Sequence, residues 1–250
     1  MISPFWQLSA LVIFGSILSL AGGVILLIVC SKRKFITQLA VPFAAGVLLS
    51  ITFLGLLPEA VHQLNVQALK IVLLAFIGAY LFEAIFFDLH HHEHPDAINH
   101  AHTSSMGLIV LGDSIHNFID GAAIAGAFMI NTGLGVTMAI STFLHELPHE
   151  IGDFGLLLQH GFSKKNVLLI NFGSSLSALV GAYLVYFWVA NESVLSWLLA
   201  VTAGMFLYLS ASDFLPQIKQ QRQRQLALFA FIMGVLSIYF SLSLIPHRHH

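Results

Sequence analysis

Long apolar runs dominate the chain, interrupted at intervals by short polar or basic clusters. A helix needs roughly 20 mostly apolar residues to cross the hydrocarbon core of a bilayer. Eight stretches have that length: about 5–30, 38–59, 68–88, 105–130, 134–159, 166–190, 194–216 and 225–245. None of them alternates polar and apolar residues in the manner of a barrel strand. In lipid a spanning backbone must satisfy its own hydrogen bonds, which leaves the helix as the remaining solution. The pattern predicts an all-α, polytopic membrane protein with eight transmembrane helices, forming a single domain over 1–250. The first run lacks a basic leader and continues to about Val29, so it reads as a retained span.

Composition agrees. The chain is 57% hydrophobic and 9% charged, where a soluble protein carries roughly 25% charged residues. Eight of the ten basic residues (Lys32, Arg33, Lys34, Lys164, Lys165, Lys219, Arg222 and Arg224) fall between spans 1 and 2, 5 and 6, or 7 and 8. With eight spans these connections share one side, which the positive-inside rule makes cytoplasmic. Both termini then lie outside, as expected of an integral protein of the cell membrane, plasma or bacterial inner. The net charge of -2 gives no sign of a nucleic-acid partner, and none is expected. Cys30 is the single cysteine, which excludes an internal disulfide and a cysteine zinc site.

The connection 89–104 falls on the cytoplasmic side and holds six histidines: His90, His91, His92, His94, His100 and His102. Such tracts bind metal weakly and reversibly. This one reads either as an acceptor for ions leaving the membrane or as a polar loop that is merely rich in His. A weak internal echo is also present. Gly46 precedes Leu57-Pro58 in span 2, and Gly204 precedes Leu215-Pro216 in span 7, with the same Gly-to-Pro spacing. The two spans run in opposite directions, as an inverted-topology repeat requires.

Ionisable residues inside spans 4 and 5 break the apolar pattern. Polar groups at that depth are expensive and mark function by default. Residues four apart share a helix face. His116 and Asp120 therefore align, with Asn117 on their flank, and His145 aligns with His149, flanked by Glu146 and Glu150. Asp113 and Asp153 extend the two stripes by a turn. No Lys or Arg lies in a span interior to pair with these acids, so buried ion pairs do not account for them. Three explanations remain: a divalent metal site between spans 4 and 5, a proton path through protonated carboxylates, and a zinc protease. Imidazole beside carboxylate favours a transition metal. His145-Glu146-Leu147-Pro148-His149 formally matches the H-E-x-x-H protease helix. Pro148 interrupts the regular helix that signature needs, and a protease has no use for the matching stripe on span 4.

The paired motifs, His116-Asn117-x-x-Asp120-Gly121 and His145-Glu146-x-Pro148-His149-Glu150, resemble the signatures of the ZIP (Zrt/Irt-like) divalent metal transporters. The closer likeness is to the subgroup with His-Glu-x-Pro-His-Glu in span 5. The resemblance implies a transporter, with no enzymatic activity and no catalytic cofactor, that moves Zn²⁺ into the cytoplasm, and in some members Fe²⁺, Mn²⁺ or Cd²⁺. It implies one site of His116, Asp120, His145 and His149. An adjoining site of Asn117, Glu146 and His149 is joined by Asn171 of span 6, and Glu150 completes the candidate ligands. It further implies a homodimer in which spans 1, 4, 5 and 6 move against the rest.

Overall fold

The computed structural model describes residues 3–21, 24, 33–88, 101–159, 161–189, 191–220 and 223–244. Among them all regular structure is helical and no strand occurs. Eight rods follow one another: α1 (Pro4–Ala21), α2 (33–64), α3 (Val66–Asp88), α4 (Ala101–Ile130), α5 (Thr132–Gln159), α6 (Lys164–Trp188), α7 (192–220) and α8 (Arg224–Ser243). α4 starts before the expected 105, so the last part of the His-rich segment is helical. Residues 89–100 of that segment, Cys30 and the C-terminal His247, His249 and His250 lie outside the described residues, as does the side chain of Asp153.

Six of these helices (α1, α2, α3, α6, α7 and α8) are long and apolar enough to cross a membrane. α4 and α5 have 30 and 28 residues, about 45 and 42 Å at the usual rise. Within their described parts they carry Asp113, Asp120, Glu146 and Glu150, which lower the apolarity there.

The echo between α2 and α7 has a structural counterpart. Each contains a π segment, Thr52–Leu56 in α2 and Leu209–Phe214 in α7, ending just before the Leu-Pro pair. Proline has no N–H and its ring displaces the carbonyl four residues earlier. Those carbonyls belong to Leu54 and Ser212, and a wider turn there accommodates both. Packing repeats the relation. α2 packs on α8 as α7 packs on α3, and α4 packs on α6 as α5 packs on α1. Exchanging α1 with α6, α2 with α7, α3 with α8 and α4 with α5 maps these contacts onto one another.

Close backbone contacts divide the bundle into two groups. Gly121 of α4 meets the backbone of Ala178 in α6, and Gly181 of α6 meets that of Phe118 in α4. Gly46 of α2 and Gly234 of α8 do the same against Phe231 and Phe43. A Cβ at any of the four would occupy the neighbouring helix's backbone, so only glycine permits the approach. Hydrogen bonds follow the same division. Ser9 pairs with Tyr183 and Ser177 with the Ser114 carbonyl inside the set α1, α4, α5 and α6. Tyr208 donates to Glu83 and Ser210 to the Ala45 carbonyl inside the set α2, α3, α7 and α8. One bond that crosses joins the hydroxyls of Thr137 and Ser241, 3.2 Å apart.

Candidate metal centre

A single residue, Asn131, links α4 to α5, and its side chain accepts a hydrogen bond from the Leu134 amide at 3.1 Å. So short a link makes the two helices antiparallel neighbours, and their polar stripes face each other. α5 continues through Pro148 as one helix. The break expected there does not form.

Four side chains meet at the centre: His116 and Asp120 from α4, His145 and Glu146 from α5. His145 Nε2 lies 2.9 Å from Asp120 Oδ2, and His116 Nε2 lies 3.1 Å from Glu146 Oε1. The other two nitrogen-to-oxygen separations, His145 to Glu146 and His116 to Asp120, are 3.9 and 4.0 Å. Four tetrahedral ligands at the usual zinc bond lengths of about 2.0–2.2 Å stand about 3.3–3.6 Å apart. The observed spacings straddle that value, so small rotations would close the set around one ion.

The tautomer of His145 is fixed by its neighbour. Its Nδ1 lies 2.8 Å from the Ser141 carbonyl, which can only accept, so Nδ1 carries the proton. Nε2, turned toward Asp120, is then the ring nitrogen left for a metal ion. The contacts across the group have the length of ion pairs without hydrogen-bond geometry. The Nε2 atoms of His116 and His145 and the carboxylate oxygens of Asp120 and Glu146 have no hydrogen-bond partner among the described residues. Two buried carboxylates with no Lys or Arg beside them among the described residues call for a cation to balance them, and a divalent metal held with the two imidazoles would do so.

The remaining candidates sit around this group. His149 stacks on His116 with ring centroids 5.1 Å apart, and its Nε2 has no hydrogen-bond partner among the described residues. Asn117 is fully buried, but its amide donates to Asp113 Oδ1 at 3.0 Å and its oxygen accepts from Ser16 of α1 at 2.6 Å. Asn171 donates to the Val167 carbonyl one turn back in α6. Glu150 is buried on α5. The structure thus groups Glu146 with His116, Asp120 and His145, and leaves His149, Asn117, Glu150 and Asn171 outside the four. Two contacts escaped the sequence reading. Ser16 reaches Asn117 across 101 positions, which no local spacing encodes. Phe206 and Phe214 of α7 lie against the rings of His145 and His149 at 5.3 and 5.5 Å, among many phenylalanines with no distinguishing pattern.

Comparison with known proteins agrees with this chemistry. Zinc transporter ZIP4 of Mus musculus is 41% identical over 142 residues, 55% of this chain and 22% of that protein. Zinc transporter ZIP10 of Homo sapiens is 43% identical over 112 residues, covering 44% of this chain and 13% of its own length. Zinc transporter zipt-7.2 of Caenorhabditis elegans is 36% identical over 140 residues, 53% of this chain and 30% of its own. The chain therefore spans a minor part of these relatives. The family profile described as ZIP Zinc transporter matches residues 90–242, which is more than half of the chain and includes all four clustered ligands, and the chain belongs to that family.

Proposed function

We propose that this chain carries divalent cations, zinc foremost, across a membrane and into the cytoplasm. The observation that carries the reading is the buried group of His116, Asp120, His145 and Glu146, two imidazoles and two carboxylates without a basic partner. The relatives named as zinc transporters support it. Ligands of this kind replace the hydration shell of the ion, and moderate affinity lets it leave again. Mixed N and O donors also accept Fe²⁺, Mn²⁺ and Cd²⁺.

Eight spans, with α4 and α5 crossing as the inner pair and both termini outside, complete the proposal, together with a homodimer. His149, Asn117, Glu150 and Asn171 serve in it as ligands of an adjoining position. The test is uptake of Zn²⁺, Fe²⁺, Mn²⁺ and Cd²⁺ into proteoliposomes, with and without a pH gradient. Zinc accumulation that His145→Ala reduces to near background is the expected result. Peptide cleavage without metal flux would restore the protease reading instead.

A further inference from the structure

Ser141 and Thr142 stand on α5 one turn before His145 and Glu146, and both are fully buried. Inside a helix such a hydroxyl ordinarily turns back onto the carbonyl four residues earlier. Ser9, Thr52, Ser114 and Thr202 of this chain all do so, at 2.8, 2.7, 2.7 and 3.0 Å. Ser141 and Thr142 do not: neither hydroxyl has a hydrogen-bond partner among the described residues. A buried hydroxyl without a partner carries an uncompensated desolvation penalty, and adjacent instances call for an explanation.

Their position supplies one. Helical side chains lean toward the N-terminus and cover the preceding turn. His145 and Glu146 thus reach back over Ser141 and Thr142, and His145 Nδ1 is 2.8 Å from the Ser141 carbonyl. Gly15, in a π segment of α1 (Ile13–Ile17), faces Thr142 Cβ, the Ala139 carbonyl and the tip of Ile124, and Phe206 lies against His145. The ligand group is sealed at this end, with His145 and Asp120 at 0% exposure, and more open at the other, where His116 is 18% exposed. In the orientation proposed above, the sealed end points outward.

We propose that the hydroxyls of Ser141 and Thr142 form an admission step for a partly dehydrated divalent cation. They supply two neutral oxygen ligands that replace departing waters before the ion reaches the four-ligand group. Neutral oxygens add no charge, so they hold the ion weakly and release it to the carboxylates one turn on. The inference rests on the transport reading and extends it to residues outside the paired motifs.

The test measures Zn²⁺ uptake by the whole chain in proteoliposomes over a range of zinc concentrations, alongside thermal unfolding of the zinc-free protein. The double variant Ser141→Ala/Thr142→Val should raise KM about tenfold while changing the maximal rate less than about twofold. Its melting temperature should hold or rise, because two unpartnered hydroxyls are gone. Thr142→Ser, which keeps the hydroxyl, should retain the low KM. An unchanged KM in the double variant beside normal wild-type flux overturns the admission step alone. A raised KM that Thr142→Ser shares, accompanied by a lowered melting temperature, assigns both residues to packing and overturns it too. Absence of zinc flux from the wild type overturns the transport reading on which the step depends.

Discussion

His145 combines three constraints in one side chain. It is fully buried, its tautomer is set by the Ser141 carbonyl, and its free nitrogen faces Asp120 at 2.9 Å. Loss of one first-contact ligand from a four-ligand site weakens metal binding steeply, and even outer partners contribute about 10–100-fold. His145→Ala at normal membrane expression should therefore bring zinc flux to near background, read as uptake per molecule of protein. His149 poses a finer question. It stacks on His116 outside the four-ligand group, yet lies one helical turn after His145 and three residues after Glu146. If it serves two adjoining positions in turn, His149→Ala should weaken both, whereas Asn117→Ala should weaken one. Elemental analysis of bound metal, with anomalous diffraction to locate each ion, distinguishes the cases; two full-strength ions in His149→Ala would refute the shared role. The residue types of this site were legible because carboxylates without cationic partners stand out in an apolar span. The grouping was not. Spacing on one helix gives a face, but the choice of Glu146 over His149 depends on how α4 and α5 are rotated against each other. The hold of Ser16 on Asn117 likewise depends on where α1 is placed.

At the scale of elements, close packing of α4 against α6 depends on two glycines that each meet the other helix's backbone. Gly121→Val would have to drive the helices apart, and overpacking of this sort destabilises by about 1–3 kcal/mol. The melting temperature of the zinc-free protein should fall. Gly173→Ala, on α6 with nothing within 4 Å of the added carbon, should stay within about 0.5 kcal/mol of the parent. If both variants melt alike, the contact is looser than described. Helix existence and order followed from apolar run length, a signal that packing does not alter. Helix interiors were less predictable. Pro148 suggested a break in α5 that did not form, while Pro58 and Pro216 each follow a π segment. The same residue type thus stands inside a regular helix in one place and after a widened turn in two others.

At the scale of the whole molecule, the apolar pattern gave eight stretches of spanning length, while hydropathy and length together qualify six helices. Among the described residues the difference falls on α4 and α5, where the polar residues that lower apolarity are those of the candidate metal centre. The division into two sets of helices was implied by the resemblance alone and not by local pattern, because it is written in which glycine meets which backbone. A direct probe is available where Thr137 and Ser241 bring their hydroxyls to 3.2 Å across the division. With Cys30 replaced by Ser, the pair Thr137→Cys and Ser241→Cys should form a disulfide under oxidation. Uptake should drop to about a tenth of that of the reduced protein or less if the sets must slide past each other, and reductant should restore it. Full uptake by the cross-linked protein would show that the sets work as one rigid body. The glycine contacts have a mechanical consequence. They lock α4 to α6 and α2 to α8 through backbone, so if the two sets move against each other, the boundary between them would be the plane of shear. All four clustered ligands ride on one slab, while Phe206 and Phe214 press on its imidazoles from the other. A shear along that plane would move the ion with its coordination intact, past rings that offer no competing ligand.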